Sequence, residues 1–192
     1  MELTDRFARA AAEAARLHRG QMRKGSGTPY VAHLLAVAAL ALEHGADEDE
    51  AIAALLHDAL EDQGGEPTRE RIARRFGERA AAIVTGCSDA VDLPKPPWLP
   101  RKEAFLARLP GESRSVRLVT ACDKLHNARS LTRDLLEDGG AVWSRFHGGR
   151  EGTLWFYRTV AQAYDGPAGA DLPAALLREL REALRALEEA AA

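Results

Sequence analysis

The chain has 192 residues, 46% hydrophobic and 29% charged, with a formal net charge of −3; this fits one domain with an ordinary core, or one domain with a small appendage. The charge balance gives no support to nucleic-acid binding, which shows a basic excess, and leaves room only for a local basic pocket. Two separated cysteines, Cys87 and Cys122, argue against a disulfide scaffold and for a reducing compartment. No stretch approaches the roughly 20 apolar residues of a membrane span, and the charged N-terminus does not read as a signal peptide. A cytoplasmic protein without membrane contact is expected.

Apolar residues recur at helical spacing almost throughout, and no stretch keeps a two-residue alternation, so the expected class is all-α, with about eight to ten helices. Thr4-Asp5 supply an N-cap for a first helix over about residues 3–18, which stops near Gly20. "QMRKGSGTPYVAH" reads as a loop. A second helix runs from about Ala32 to His44, with Gly45 as its C-cap. Asp47 caps a third, from about Glu48 to Glu61, which Gly64-Gly65 ends. Thr68 caps a short fourth that stops at Gly77, and "ERAAAIVTGCSD" is helical again. Prolines exclude a helix from "AVDLPKPPWLP", expected as an exposed loop carrying Trp98. A helix follows from about Arg101 to Arg108, then one begun by Ser113 or Ser115 through "SVRLVTACDKLHNARSLTRDLLEDG". "FHGGREG" interrupts, "TLWFYRTVAQAY" is helical, and a last helix spans about Pro173 to Glu189. Its leucines are expected to pack on the domain, with a second subunit, giving a homodimer, as the alternative.

The stretch "ALLHDALED" places a histidine and three carboxylates at the end of an Ala, Ile and Leu run. At about 100° per helical residue, His57, Asp58, Glu61 and Asp62 share an arc of ~140°. Uncompensated anions so close repel one another, and a divalent cation reverses that sign. His57 and Asp58 are therefore expected to bind a metal ion, with Glu61 and Asp62 working beside it. More ligands are needed. His33 in "YVAHLLAVAAL" and Asp123 in "RLVTACDKLHNARSL" are polar residues where a core prefers none. A lone histidine in such a helix is more often a satisfied core residue; the ordered set is far more specific. Two imidazoles and two carboxylates without thiolate suit manganese or iron, and zinc less exclusively. Asn127 lies four residues after Asp123, about 40° round the same face, which puts an amide beside the metal.

These residues resemble the H…HD…D pattern of the HD-domain metal-dependent phosphohydrolases. More closely, the chain is similar to the hydrolase domain of the RelA/SpoT-homologue proteins and, within them, to the stand-alone small alarmone hydrolases. "HRGQMRKGSGTPYVAH", "ALLHDALED", "IARRFGERAAAIVTGCSD", "RKEAFLARLP" and "VRLVTACDKLHNARSL" carry the likeness over roughly residues 18–131. The resemblance implies a single HD-domain helical bundle over residues 1–192, with 171–192 a C-terminal helix packed on it, and no room for the synthetase and regulatory domains of long relatives. It implies one ion, usually manganese, on His33, His57, Asp58 and Asp123, and an acidic pair, Glu61 and Asp62, near the attacking water. It implies that Asn127 contacts the ribose, that Arg23 and Lys24 lie against the base, and that Lys102 lies near the phosphates. Arg23 suits stacking on a purine because guanidinium is planar. Leu34 stands where proline usually follows the first histidine, Gln63 where threonine is common, and His126 where tyrosine is frequent. Gln63, His126 and the "LPKPPW" loop are the departures expected to bear on nucleotide fit. Phe156 is expected in the core and Tyr157 as a ligand contact, while Trp143 and Trp155 either cover the pocket or fill the core. His18, His44 and His147 are given no role.

The expected activity is removal of the 3′-pyrophosphate of (p)ppGpp, giving GDP or GTP and pyrophosphate. The alternatives are the same chemistry on another nucleotide (ppApp, the 2′-phosphate of NADPH or a nucleoside monophosphate) and a non-catalytic nucleotide sensor.

Overall fold

The computed structural model of the chain describes residues 2–90 and 95–192. Its helices are α1 (Asp5–Leu17), α2 (Val31–Glu43), α3 (Glu48–Leu56), α4 (Ala59–Asp62), α5 (Gly65–Phe76), α6 (Glu78–Cys87), α7 (Trp98–Arg108), α8 (Arg114–Asp138), α9 (Gly149–Asp165) and α10 (Ala174–Ala191), with short 3-10 turns at Leu109–Gly111, Gly139–Arg145 and Pro167–Gly169. No strand occurs among the described residues, only an isolated bridge between Met22 and Pro29. The all-α expectation holds. No described helix is long and apolar enough to cross a membrane, and Cys87 and Cys122 are free thiols.

The centre is α8, 25 residues long, packed on α2, α3, α6 and α10. Every residue of α3 from Ala51 to Leu56 is buried, as expected of a helix that is apolar all round. Asp47 caps α3 as read from the sequence: its carboxylate accepts from Glu50 N at 3.0 Å, and the Glu50 carboxylate accepts from Asp47 N at 2.8 Å, a reciprocal capping box. Ser113 caps α8 through Val116 N at 3.3 Å. Leu176, Leu180, Leu184 and Leu187 are buried, and their helix α10 packs on α8 and α9; each contributes roughly 1.5–3 kcal/mol by leaving water.

Several boundaries differ from expectation. The third helix is broken: α3 stops at Leu56 and α4 resumes at Ala59. Between them Asp58 has φ −92°, ψ −1°, the sparsely allowed bridge region where active-site residues often sit. Its carboxylate is held from outside the helix by the Tyr30 hydroxyl at 2.6 Å. Thr68 does not cap α5. The helix opens earlier, after Gly64 in the left-handed region at φ +108°, and the buried Thr68 hydroxyl donates back to Gln63 O at 2.5 Å. The proline-rich loop is shorter than read. Residues 91–94 lie outside the described residues, and Trp98-Leu99-Pro100 already form the first turn of α7, where proline costs no hydrogen bond. Trp98 is half-buried rather than exposed. It rests on the start of α9, where a Cβ on Gly148 or Gly152 would come within 2.7 or 3.1 Å of its ring. α9 begins at Gly149, inside the expected interruption.

Candidate active site

Three elements bring the four expected ligands together: His33 in the first turn of α2, His57-Asp58 at the break between α3 and α4, and Asp123 in the middle of α8. His33 Nε2 lies 3.6 Å from Asp58 Oδ2 and 3.2 Å from Asp123 Oδ1, and His57 Nε2 lies 3.1 and 3.5 Å from the same two atoms. Neither Nε2 has a hydrogen-bond partner although both are buried. These are close approaches and not hydrogen bonds. Donors about 2.0–2.2 Å from one cation would sit roughly this far from one another. Two orphaned, buried nitrogens facing two carboxylate oxygens therefore fit a divalent ion, and His33, His57, Asp58 and Asp123 are the residues that could hold it. His33, His57 and Asp58 alone already converge as a metal-binding group.

Outer partners hold these side chains. His57 Nδ1 is 2.8 Å from Ala54 O, and a carbonyl can only accept, so His57 carries its proton on Nδ1. His33 Nδ1 is 2.8 Å from His126 Nδ1. Asp123 accepts from Lys124 Nζ at 2.6 Å and from Asn127 Nδ2 at 2.5 Å. Burial opposes every charge here, yet the charges themselves win. Asp58 and Asp123 hold His57 protonated well above the usual imidazole range. In turn His57 holds Asp58 well below the carboxylate range, and Lys124 and the histidines do the same for Asp123. The cluster attracts positive charge. Burial, with His33 and Arg23 nearby, pushes His126 down to about 4, so it is neutral at ordinary pH.

Beside the cluster opens a cavity of about 470 Å³. Asp58, Asp123, Glu61, Asp62, Arg23, Lys24, Lys102, Asn127 and Tyr157 all line it. Glu61 accepts from Asp89 N at 2.8 Å and lies 3.8 Å from Lys95 Nζ. Asp62 accepts from Gln21 Nε2 at 2.8 Å and lies 3.4 Å from the same ammonium. Burial, then the charges of Asp89 and Asp58, push Glu61 up to about 8. Arg23 donates to Asn127 Oδ1 at 3.0 Å and its guanidinium lies over the Tyr30 ring at 5.9 Å. The Lys102 ammonium is 2.6 Å from Asp89 and lies over the Phe156 ring at 5.0 Å.

Some expectations are corrected. The helical arc drawn through His57, Asp58, Glu61 and Asp62 assumes one continuous helix; the break at Asp58 removes that premise, while Asp58, Glu61 and Asp62 still line one cavity with His57 against Asp58. His126 contacts His33 and is not among the cavity-lining side chains, so its bearing is on the ligand cluster. Gln63 is likewise absent from the lining; it donates to Gln21 Oε1 at 2.9 Å, and Gln21 in turn holds Asp62. Phe156 is buried as expected and also lines the cavity, and so does His147, which was assigned no role. The sequence reading missed Tyr30, Asp89, Lys95, Arg101 and Lys124. Of these, Lys124 carries a signal, a lysine inside an apolar helical run. Asp89 pairs with Arg101 and Lys102 thirteen residues or less away, across a proline-rich segment that hides the pairing.

The chain matches the HD domain family over residues 10–154. It is 35% identical over 181 residues to the human guanosine-3′,5′-bis(diphosphate) 3′-pyrophosphohydrolase MESH1, covering 93% of this chain and 90% of that one. To an Aquifex aeolicus protein named for the same activity it is 36% identical over 121 residues, which is 63% of this chain and 17% of that much longer one. A solved structure of a metazoan SpoT ortholog, described as hydrolysing ppGpp with a role in starvation responses, superposes with a TM-score of 0.77 at 27% identity, over 96% of this chain and 97% of the other. With the ligand cluster in place and the match running from α1 into α9, the chain belongs to the HD domain family, on the branch that holds MESH1 and SpoT.

Proposed function

We propose that this chain is a metal-dependent (p)ppGpp 3′-pyrophosphohydrolase. The observation that carries the reading is a cavity lined by Asp58 and Asp123, an acidic pair and several cations, with two orphaned histidine nitrogens facing those two carboxylates from beside it. His33, His57, Asp58 and Asp123 hold the ion, taken to be manganese. A bound divalent ion supplies Lewis acidity, neutralising phosphate charge and acidifying water. Glu61 and Asp62 jointly orient the water and take up its proton, close to Lys95. Water oxygen joins the phosphorus next to the 3′-oxygen, that P–O bond breaks, and the 3′-oxygen leaves as a hydroxyl with pyrophosphate as the second product. Asn127 receives the ribose, Arg23 and Lys24 lie against the base, Lys102 counters the phosphate charge, and Tyr157 forms part of the wall. Residues 1–192 act as one HD domain closed by the segment 171–192, and the protein works in the cytoplasm. A homodimer would have to use a face other than the C-terminal leucines, which are buried within the chain; sedimentation tests it.

The test is incubation of the purified protein and manganese with ppGpp, pppGpp, ppApp, NADPH and deoxynucleoside monophosphates, each resolved by anion exchange, with a His57→Ala, Asp58→Ala control. Pyrophosphate released from ppGpp and lost in the control is expected. Turnover of an adenine substrate instead would replace the guanine assignment, and no turnover with metal bound would overturn the hydrolase.

A further inference from the structure

The two ligand histidines are oriented by different chemistry. His57 Nδ1 meets a backbone carbonyl, Ala54 O, at 2.8 Å. That partner only accepts, so in the neutral ring one tautomer is imposed and Nε2 carries the lone pair. His33 Nδ1 meets another imidazole nitrogen, His126 Nδ1, at 2.8 Å, with the two rings 4.8 Å apart and tilted by 43°. Between two neutral imidazoles at this distance only one proton fits. If it belongs to His126, His33 must carry its own proton on Nε2, aimed at Asp123 Oδ1 3.2 Å away, and the cluster loses a donor atom. If it belongs to His33, Nε2 is free.

We infer that His126 is a positioning residue: its Nδ1 accepts from His33 Nδ1–H and thereby keeps His33 Nε2 available to a divalent cation. His126 lies on α8 three residues after Asp123 and next to Asn127, so the helix that supplies one ligand also sets the tautomer of another. Ligand histidines generally donate their second ring N–H, and loss of that partner costs about 10–100-fold in metal affinity. Here the partner is a side chain that could also donate, so metal affinity depends on which tautomer His126 adopts. His126 lies outside the cavity lining, and it acts on the substrate only through the ion.

The inference rests on the proposed ligand role of His33, and the experiment separates the two. Manganese and zinc affinities are measured by chelator competition on the full chain and on His33→Ala, His126→Asn and His126→Phe. The asparagine amide oxygen occupies the position of His Nδ1 and accepts; phenylalanine keeps the ring and cannot. His126→Phe is expected to weaken binding by about 10–100-fold and His126→Asn to stay close to the native protein. Equal weakening in both, or native affinity in His126→Phe while His33→Ala is weak, overturns the positioning role. Native affinity in His33→Ala overturns the ligand assignment itself. Nitrogen-15 spectra of the native zinc-loaded protein give a reading independent of variant folding: a proton on His33 Nδ1 is expected, and its absence overturns the inference.

Discussion

At the ligand cluster, His33 Nε2 and His57 Nε2 are buried and face Asp58 and Asp123 without a hydrogen bond. On the α6–α7 wall of the same cavity, Asp89 is equally buried, its side chain 3% exposed, but Arg101 and Lys102 both pair with it. The first group leaves a demand for positive charge inside the protein, and the second satisfies its own. The second group also holds Glu61 through the Asp89 N–H. Burial alone does not mark a site; burial with unmet bonding capacity does.

Changes at the unmet wall should have the largest effects. Asp58→Ala or Asp123→Ala is expected to abolish turnover together with metal binding, read by metal analysis of the dialysed protein. A variant that keeps stoichiometric metal and full turnover would remove that residue from the ligand set.

Glu61→Gln should keep the metal and lower kcat by about 10²–10⁴-fold. A second readout needs no substrate. With its pKa raised to about 8, Glu61 binds a proton in the folded metal-free protein that the unfolded chain releases above about pH 4.3. The native state then holds more protons between those values, so stability falls as pH rises from about 4 to about 8. Urea titrations of the metal-free protein should show that fall, and Glu61→Gln should flatten it.

The self-balanced wall predicts the opposite slope. Burial raises the Asp89 pKa, but Lys102 and Arg101 outweigh it and pull it down to about 2. A depressed carboxylate stabilises above its unfolded value and loses that contribution as pH falls through the folded one. Asp89→Asn should cost about 2 kcal/mol near neutrality, a deficit that shrinks between about pH 4 and pH 2. A deficit that is constant with pH would mean that the ion pairs do not supply it. The smallest effect lies far from either wall. Asp47→Ala breaks the capping box of α3 and should cost about 1 kcal/mol by thermal unfolding, with kcat unchanged.

The four candidate ligands stood out in the sequence because each is a polar residue in an apolar helical setting, a placement that needs compensation, and the structure brings them together. Asn127 was readable because residues four apart share a helix face, and it does bond to Asp123. The supporting residues were not. Tyr30 holds Asp58 across 28 positions and His126 holds His33 across 93, and neither spacing has a periodic signature. The break at Asp58, where the Tyr30 hydroxyl reaches the carboxylate, was also hidden, because no glycine or proline interrupts "EDEAIAALLHDALED".

Local periodicity, capping residues and turn glycines determined the all-α class, most helix boundaries and the candidate metal ligands, since these depend on neighbours within about one turn of chain. Only the tertiary structure decided which nitrogen of each histidine faces the cluster, that Asp89 is the counter-ion of Arg101 and Lys102, and that Trp98 is a packed anchor on α9. Those outcomes depend on how helices pack against one another, where a bond of 2–3 Å joins residues that the chain keeps far apart.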